Sequence, residues 1–310
     1  MNVAAIVITY NDDFKFNEWV ENHKTYKDEL YLHIIVDNGS SPEYLMNVEK
    51  YFNDSHIIKR STNGGCTYAY NDGIKFALND SKVDAIMLIG NDMKLDKGGV
   101  NKLSKFLISN DRFGMVAPIV LEKDSENVES FGCTISKYLT LVEPESKKNI
   151  NLLILNSKEV EAVGGGMNMA SRTFYEKVGL QDKMLFMYSD EVDMGIRSRK
   201  VGLKMAVTKQ VKAWHQHINP KGVEFRNNYA PFLGSRNKVY LAKKHFGIFK
   251  AIKQFIYFVL LFIGLSLREK FAISKVKYFF WSVIGASYGL FNQMEIPKFL
   301  GIKNTPYQKK

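Results

Sequence analysis

Three carboxylates crowd into four consecutive positions of the stretch FMYSDEVDMGIRSRKVG, which spans residues 186–202. Because like charges disfavour joint ionisation, the crowding of Asp190, Glu191 and Asp193 can raise the pKa of one of them towards a value useful for proton transfer. The same residues also suit the start of a helix, with Asp190 as the N-cap and the acids at the positive end of the dipole. Asp193 and Arg197 lie one helical turn apart and can pair. A catalytic and a structural interpretation are therefore both open.

Polar side chains also follow four strand-like segments in the first hundred residues. Any one of these clusters fits an ordinary turn, because Asn, Asp, Gly and Ser dominate turns for backbone reasons. Four clusters at the same edge of one parallel sheet would instead converge in a single crevice, with groups suited to a base, a ribose and a diphosphate. The clusters are Thr9-Tyr10-Asn11, Asp37-Asn38-Gly39-Ser40-Ser41, Asn63-Gly64-Gly65 and Gly90-Asn91-Asp92.

The sequence lacks the glycine-rich loops that commonly cradle phosphates. No GxGxxG follows the first strand, and no GxxxxGK[ST] occurs. A diphosphate here must be neutralised in another way, most simply by a divalent cation held by a carboxylate. Asp92, at the end of the fourth strand, is the natural ligand for Mg²⁺ or Mn²⁺, which prefer oxygen and are often shared with substrate phosphates.

The elements that must position these residues follow a strand–helix alternation. Short, nearly continuous apolar runs predict strands buried on both faces of a parallel sheet, and the segments between them have helical periodicity. Pro42 after two serines fits a helix start. The fold class is therefore α/β, with a mostly parallel sheet flanked by helices. The predicted strands are residues 3–10, 30–37, 56–61 and 84–90.

The pattern changes twice further along the chain. From about 114 to 170 it shows short extended pieces with polar turns, and after about 227 it is helical throughout. We therefore predict an α/β domain over residues 1–225 and a helical C-terminal extension over 226–310. The domain would pass from an α/β half, about 1–112, into a mixed half, about 113–225.

Charge and cysteine content narrow the class of protein. The formal charge is +11, but residues 236–310 hold 14 Lys or Arg against 2 Asp or Glu, so the first 235 residues are close to neutral. This distribution argues against a nucleic-acid-binding surface. Cys66 and Cys133 form no metal spacing and fit a reduced, cytoplasmic protein. The first residues read as a strand rather than a signal peptide.

The C-terminal extension combines basic and aromatic residues. Its longest apolar run, residues 255–267, has 13 residues, fewer than the roughly 18 that a membrane span needs. We expect helices 248–267 and 273–291 to dock on the anionic inner face of the cell membrane as a peripheral, monotopic element. Packing against the α/β domain and formation of a homodimer are the alternatives.

Seven motifs follow one another over roughly residues 3–220: IVITYN, IIVDNGSS, STNGGCTYAYNDGI, IGNDM, GGGMNMASRTFYEKVGL, DEVDMGIRSRKVG and VKAWHQH. In their order and spacing the sequence resembles the family 2 glycosyltransferases, inverting enzymes with the GT-A fold. The extension, which contains RNKVYLAKKHFG, is similar to that of rhamnosyltransferase-like and galactofuranosyltransferase-like members. The resemblance implies that residues 1–225 are a GT-A catalytic domain, with a nucleotide-sugar half at about 1–112 and an acceptor half at about 113–225.

The resemblance implies roles on the donor side of the site. Asp37 would bind the pyrimidine of the nucleotide, and Asp92, the last acid of the family's D-x-D motif, would bind metal and diphosphate. Gly90 replaces the first acid of that motif, which leaves one carboxylate fewer for the cation. The remaining residues implied to bind the nucleotide sugar are Thr9, Tyr10, Asn11, Asn38, Asn63, Gly64, Asn71 and Asn91.

The resemblance also implies a base and an acceptor side. Glu191 takes the position of the family's catalytic base, with Asp190 before it, and His215 or His217 would complete the metal site. On the acceptor side the resemblance places Gly165, Gly166, Asp193, Arg197 and Arg236.

The predicted function is an inverting transfer of a sugar from a UDP- or dTDP-sugar to a hydroxyl of a glycan or polyprenyl-linked glycan in surface polysaccharide synthesis. A nucleotidyltransferase is a second hypothesis, but the stretch VITYNDDFKF supplies no basic, glycine-rich triphosphate loop. A third hypothesis, motivated by Gly90, is a degenerate domain that binds glycan or scaffolds a complex without catalysis.

Overall fold

A computed structural model of the chain describes residues 1–164, 166–216, 226–267 and 273–302. Within them, ten strands form one mixed sheet in the order β10-β12-β6-β11-β4-β1-β2-β3, with β5 added to β12 and β7 to β6, while β8 and β9 pair separately. The strands are β1 (Val3–Thr9), β2 (Leu32–Asp37), β3 (His56–Lys59), β4 (Ala85–Ile89), β5 (Met93–Leu95), β6 (Phe113–Glu122), β7 (Val128–Ser130), β8 (Thr134–Ile135), β9 (Leu141–Val142), β10 (Ser157–Val160), β11 (Met167–Ser171) and β12 (Lys204–His215).

The helices lie on both faces of the sheet and continue into the C-terminal extension. The predicted α/β class is confirmed, since β1 to β4 are mutually parallel and correspond to the four expected strands. Pro42 stands at N1 behind the Ser41 cap, as expected. The helices are α1 (Phe16–His23), α2 (Pro42–Tyr51), α3 (Gly65–Asn79), α4 (Gly99–Ser109), α5 (Arg172–Val178), α6 (Asp190–Lys200), α7 (Arg226–Phe246), α8 (Ile248–Ser266) and α9 (Ile273–Leu290).

Alternation along each strand divides the core into two layers. On β1, Val3, Ala5 and Val7 face the layer formed by α1, α2 and α4, whereas Ala4 and Ile6 face α3, α5 and α6. All five are essentially inaccessible to solvent. Strands covered on both faces bury apolar surface in both directions, so the sheet holds the loops at its carboxyl edge in fixed positions.

The antiparallel strand β11 joins the two halves of the sheet. It pairs with β4 on one side and with β6 on the other, and β6 in turn runs parallel to β12. The parallel half that carries the first polar clusters is thereby bonded to the mixed half that carries His215. Residues 90–93, which follow β4, thereby lie beside the start of β11 and, through β5, beside the end of β12.

The C-terminal helices pack directly on α6. Val192 and Ile196 of α6 share a cluster with Val239 of α7, Phe258 of α8 and Ala286 of α9. The predicted boundary at residue 225 lies at the edge of residues 217–225, which are outside the described part of the chain, and the two-domain division stays a prediction. No helix in the described ranges combines the length and the apolar character that crossing a membrane requires.

A buried ion cluster ties α6 to α7. The Asp193 carboxylate is inaccessible to solvent; it accepts hydrogen bonds from Arg197 Nε at 2.8 Å, Lys244 Nζ at 2.7 Å and His245 Nε2 at 2.8 Å. Burial opposes ionisation, but the hydrogen bond from His245 and the charges of Arg197 and Lys244 hold the pKa of Asp193 well below its usual range. Arg197 also donates to the backbone carbonyls of Val178 and Leu180.

We expect Asp193→Ala to lower the free energy of unfolding by about 3–5 kcal/mol, because removing one member of a buried ion cluster strands the charges of the others. Urea denaturation would measure the loss. The matched control is Glu49→Ala, which breaks the exposed pair with Lys59 and should cost about 1 kcal/mol or less. Equal effects of the two substitutions would contradict the buried-cluster assignment.

Candidate active site

A pocket of about 580 Å³ opens at the carboxyl ends of β1, β2 and β4, beside the start of α3. This is the edge of the sheet where the polar clusters were expected to converge. The volume is in the range of small-molecule sites. Six of the predicted nucleotide-sugar residues line it: Thr9, Tyr10, Asn11, Asn38, Asn63 and Asn91.

Two asparagines fix the rear wall of the pocket. Asn38 Nδ2 donates to Asn63 Oδ1 at 2.9 Å, and Asn38 Oδ1 accepts from the backbone N–H of Gly64 at 3.1 Å. Asn63 Oδ1 also accepts from the N–H of Gly65 at 2.9 Å. Gly65 has a φ of +74°, and a Cβ there would lie 2.2 Å from the carbonyl oxygen of Phe186. Only glycine allows this close approach of α3 to the residues before α6.

Two of the predicted nucleotide-sugar residues lie behind the pocket wall. Asp37 is 1% exposed and accepts from the N–H of Ser40 through both carboxylate oxygens, each at 3.3 Å. Asn71 joins α3 to residue 181: its Nδ2 donates to the carbonyl of Gln181 at 2.8 Å, and its Oδ1 accepts from that residue's N–H at 2.9 Å. In this geometry Asn71 holds two buried segments together.

The end of β4 is bonded on both sides by backbone hydrogen bonds. The N–H of Gly90 donates to the carbonyl of Gly166 at 2.8 Å, and the N–H of Gln216 donates to the carbonyl of Asp92 at 2.8 Å. Two glycines were predicted on the acceptor side. Gly166 is within the described residues, and Gly165 lies outside them. A Cβ on Gly90 would lie 2.8 Å from Asp92 Oδ1. The Asp92 carboxylate thus lies against position 90, where a side chain of the motif's first acid would begin.

Asp92 lies between two cationic groups. Lys15 Nζ is 3.4 Å from its Oδ2 and 3.6 Å from Asp12 Oδ1, and His215 Nε2 is 3.7 Å from its Oδ2. Burial disfavours the Asp92 anion, but His215 and Lys15 outweigh this and hold the pKa of Asp92 well below its ordinary value. Burial would lower the pKa of His215, yet hydrogen bonds to Asp92 and Glu129 raise it to about 9.

Asp92 and His215 fit a shared divalent cation, with one oxygen and one nitrogen ligand facing each other. Metal binding would have to displace the proton that His215 carries at neutral pH. Across the described ranges, no group of three or more His, Cys, Asp or Glu side chains is arranged to hold an ion. Further ligands for such an ion could be oxygen atoms of a substrate phosphate. His217, the other predicted metal ligand, lies outside the described residues.

The acidic pair stands at the first turn of α6. The prediction that Asp190 caps this helix was wrong: α6 begins at Asp190, and the N-cap is Ser189 in a left-handed conformation with no side-chain cap hydrogen bond. Burial is the largest cause of a raised pKa at Glu191, and the neighbouring Asp190 and then Glu143 raise it further. Burial also raises the pKa of Asp190. The two carboxyl groups therefore titrate as a pair, and burial together with their mutual repulsion disfavours the state in which both are ionised.

A small cavity of about 20 Å³ borders the acidic pair on the core side. Asn168 Oδ1, Tyr175 Oη and Gln181 Oε1 belong to residues that line this space, and none of these atoms has a hydrogen-bond partner among the described residues. A polar cavity of this size can hold a single water molecule. The acidic pair thus has a confined polar region on one side, while both residues remain partly accessible to solvent.

Cys66 and Tyr70 of α3 connect the acidic pair with the pocket. Both side chains line the pocket. Burial raises the pKa of Tyr70, and the charges of Asp190 and Asp92 raise it further. Burial also raises the pKa of the Cys66 thiol, and the charges of Asp190 and Glu191 raise it further. Lys15, in the pocket, acts in the opposite direction and lowers it. Asp190 and Glu191 themselves border the small core-side cavity rather than the pocket, so their link to the pocket is the electrostatic one through these two residues of α3.

Arg236, predicted on the acceptor side, is fully buried. Its guanidinium donates to the carbonyls of Leu185 at 3.0 Å and Met294 at 2.9 Å. Four further charged residues neighbour the site and were not predicted from the sequence: Asp12, Lys15, Glu129 and Glu143. For two of them the sequence holds a local indication, because Asp12 and Lys15 are three residues apart and can form an ion pair.

Comparison with known proteins places this chain in a family. The family described as Glycosyl transferase family 2 matches residues 4–179, more than half of the chain. The chain belongs to glycosyl transferase family 2. It is therefore a glycosyltransferase, and the predicted family is confirmed.

Two relatives of this glycosyltransferase match over nearly all of its length. It is 22% identical to the low-salt glycan biosynthesis hexosyltransferase Agl10 of Haloferax volcanii, over 96% of this chain and 94% of that protein. It is 21% identical to the dTDP-rhamnosyl transferase RfbF of Shigella flexneri, over 83% of this chain and 85% of that protein.

Solved structures show that the glycosyltransferase has the GT-A fold. A structure of GalNAc-T7 with UDP, GalNAc and Mn²⁺ matches 90% of this chain with a TM-score of 0.60 and 13% identity; the chain spans about half, 54%, of that protein. The mannosyltransferase PcManGT of Pyrobaculum calidifontis, in complex with GDP-Man and Mn²⁺, matches 94% of this chain and 88% of its own, with a TM-score of 0.56 and 13% identity.

We expect Asn71→Ala to lower the free energy of unfolding by about 1–3 kcal/mol, because it leaves the buried N–H and carbonyl of Gln181 without partners. Urea denaturation measures this change, and binding of UDP, followed by calorimetry, should stay the same. Unchanged stability with lost UDP binding would instead make Asn71 a nucleotide contact, as the sequence analysis expected.

Proposed function

We propose that this glycosyltransferase moves a sugar, with inversion, from a UDP- or dTDP-sugar to a hydroxyl of a glycan or lipid-linked glycan in surface polysaccharide synthesis. The observation that supports it is the polar pocket at the strand ends, two of whose lining residues, Cys66 and Tyr70, lie within electrostatic reach of the acidic pair. A donor in the pocket would have a carboxyl group next to its sugar. The names of the two relatives, a hexosyltransferase of glycan biosynthesis and a dTDP-rhamnosyl transferase, fit this class of reaction.

The nucleotide would bind among the strand ends. Thr9, Tyr10 and Asn11 would contact the base side, and Asn38, Asn63 and Asn91 offer amides along the same wall. Asp37, behind that wall, would act on the base through the loop that follows β2. Asn71 and Gly64 would shape the wall without direct contact.

The diphosphate would lie beside Asp92. A divalent cation held by Asp92 and His215 would offset phosphate charge and stabilise the leaving nucleotide. Lys15 offers a second, fixed positive charge at the same place, 3.4 Å from Asp92. Because the D-x-D motif lacks its first acid here, this lysine would carry a larger share of the neutralisation than in members with two acids.

The acidic pair would supply the general base. Glu191, or Asp190 sharing its proton, would accept the proton of the acceptor hydroxyl as the oxygen attacks the anomeric carbon. One carbon–oxygen bond forms to the acceptor, and the bond to the nucleotide diphosphate breaks on the opposite face. The pair of electrons leaves with the diphosphate, and a single displacement inverts the anomeric configuration.

The acceptor would enter from the side of Gly166 and β7. Gly166 has a φ of +72° and, because no side chain blocks it, lets a substrate approach the backbone. The three other predicted acceptor-side residues make internal hydrogen bonds: Asp193, Arg197 and Arg236. They would hold α6 in position and would not touch the acceptor. Glu143 lies near Glu191 and belongs to the same side.

A non-catalytic glycan-binding role is the second candidate, and Gly90 is the observation that favours it. A domain without the first acid of the motif, and with an ammonium group beside the remaining one, could bind sugar nucleotide or glycan and not turn it over. Turnover assays with UDP-, dTDP- and GDP-sugars in the presence of Mn²⁺ separate the two. Binding with no transfer and no hydrolysis would support the non-catalytic role.

We also propose that α8 docks on an anionic membrane surface. Its exposed apolar residues recur every three or four positions along one face: Phe249, Ile252, Ile256, Leu260, Ile263 and Leu267. Such a stripe fits a helix that lies in a bilayer interface, and the surplus of lysine and arginine in the extension adds attraction to anionic lipid. This orientation would locate the protein at the inner face of the cell membrane, close to polyprenyl-linked acceptors.

We expect Glu191→Gln to lower the rate of transfer by about 10²–10⁴, because it removes the proton acceptor while preserving size. UDP binding should change little. The matched control is Glu176→Gln, an exposed acid of α5 that should keep the wild-type rate. Full turnover by Glu191→Gln would exclude this residue as the base.

The rate should also rise with pH on the alkaline side of neutrality. Burial and Asp190 raise the pKa of Glu191 to about 8, and only its deprotonated form accepts a proton. A profile of kcat/KM against pH, which reports the free enzyme, should therefore climb through about 8, and this limb should be absent in Glu191→Gln. A profile already flat above pH 6 would contradict a base with a raised pKa.

We expect the purified chain to float with phosphatidylglycerol vesicles and not with neutral phosphatidylcholine vesicles. The double variant Phe249→Glu/Leu260→Glu should reduce the bound fraction by about tenfold, because it puts charge into the apolar stripe. Ile108→Glu, an exposed position on α4, is the control and should leave flotation unchanged. Absence of flotation together with a dimer in solution would identify a second copy as the occupant of this face.

A further inference from the structure

The residues that lead into the acidic pair form a strained turn, residues 185–189. Phe186 has φ +63° and ψ −59°, and the N–H of Met187 donates to the carbonyl of Leu185 at 2.7 Å, which makes a γ-turn of the rare, positive-φ kind. Tyr188 and Ser189 follow with φ values of +71° and +64°. Three non-glycine residues in four positions thus hold conformations that cost energy.

The strained turn contacts both parts of the site. Phe186 and Met187 line the donor pocket, and the carbonyl of Phe186 accepts from the N–H of Thr67 in α3 at 3.3 Å. Ser189 is the N-cap of α6, and its carbonyl accepts from the N–H of Asp193 at 3.1 Å. A shift of the strained turn would therefore move the pocket wall and the first turn of α6 together.

Helix α7 supplies the hydrogen bonds that hold the strained turn. Asn237 Nδ2 donates to the carbonyls of Leu185, Met187 and Tyr188 at 3.0, 2.8 and 2.9 Å. Arg236 donates to the same Leu185 carbonyl at 3.0 Å, and its Nε donates to Asn237 Oδ1 at 3.1 Å, which fixes the amide orientation. Both side chains are inaccessible to solvent. The two N–H hydrogens of one buried amide are thus shared among three carbonyls of the strained turn.

Close packing of α9 holds α7 in this position. A Cβ on Gly289 would lie 2.2 Å from the carbonyl oxygen of Arg236, and one on Gly285 would lie 2.1 Å from that of Phe232. The two helices therefore touch backbone to backbone at the level of Arg236. Arg236 also donates to the carbonyl of Met294, just after α9. The donors that hold the strained turn are rigid because two helices fix them.

We propose that Asn237, oriented by Arg236, is a positioning residue for the acidic pair, and that the C-terminal extension is thereby part of the active site. This inference rests on the proposed function of Asp190 and Glu191. Without the amide, the strained turn relaxes, Ser189 leaves its left-handed conformation, and the first turn of α6 reorients. The carboxyl groups then lose both their aim at the acceptor and part of their burial.

The test compares Asn237→Ala with wild type in the full chain, using the sugar nucleotide that wild type turns over. We expect kcat to fall by about tenfold to a hundredfold, because small misplacements of a catalytic group have effects of that size. The alkaline limb of the pH profile should move towards the ordinary range of a carboxyl group, because the pair gains water. The matched control is Gln254→Ala, which removes another buried amide of the extension, one that donates to the carbonyl of Tyr138.

A rescue variant separates positioning from general destabilisation. In Asn237→Ala/Ser189→Gly, glycine adopts the positive φ of position 189 without steric cost, so part of the lost rate and of the pH shift should return. If Asn237→Ala does not fold, Arg236→Lys, which loses the planar fork that orients the amide, takes its place with the same two readouts. A kcat and a pH limb that match those of Gln254→Ala would overturn the proposal.

Amide hydrogen exchange gives a readout that does not depend on turnover. The peptide that covers residues 185–193 should exchange faster in Asn237→Ala than in wild type or Gln254→Ala, because the N–H groups of Met187 and Asp193 lose their fixed partners. Unchanged exchange overturns the role of Asn237. Faster exchange in a protein whose wild type turns over no sugar nucleotide would keep the structural role and reject the proposed function.

Discussion

The pairing of β11 between β4 and β6 is the constraint on which the site depends. An antiparallel strand at this place brings the carbonyl of Gly166 to the N–H of Gly90, while β12 brings the N–H of Gln216 to the carbonyl of Asp92. The short segment between residues 90 and 93 is therefore bonded on both sides, and the Asp92 side chain has a fixed origin. The contacts of Asp92 with Lys15 and with His215 therefore depend on the position of this segment.

The two ends of the site differ in how they hold protons. Asp92 is half-buried beside the cations Lys15 and His215, which keep it ionised, whereas Glu191 is half-buried beside another acid, which favours its protonated form. Environments that push the pKa values of two carboxyl groups apart are typical of sites where one binds charge and another transfers a proton. The sequence alone shows only acids at both places; the neighbours that separate their pKa values come from elsewhere in the chain.

The first half of the fold and the location of the pocket were predictable, because both follow from local pattern. Continuous apolar runs predicted the strands β1 to β4. Because parallel strands bring their carboxyl ends to one edge of the sheet, Asn38 and Asn91 were expected to lie close together, and both line the pocket. Residues whose roles depend on contacts between distant segments could not be assigned in this way. Asn71 bonds to residue 181, and Arg236 bonds to residues 185 and 294. The wrong helix cap at Asp190 has the same origin, since α7 sets the conformation of the preceding turn.

We propose that the pocket at the strand ends and the acidic pair of α6 serve one substrate complex. A crystal structure of the chain with UDP or dTDP and an acceptor glycan would locate both. We expect the nucleotide between Asn38 and Asn91, its diphosphate beside Asp92, and a carboxyl oxygen of residue 190 or 191 within hydrogen-bond reach of the acceptor hydroxyl, about 2.6–3.2 Å. A nucleotide bound elsewhere, or both carboxyl groups turned into the core with the acceptor on another face, would contradict it.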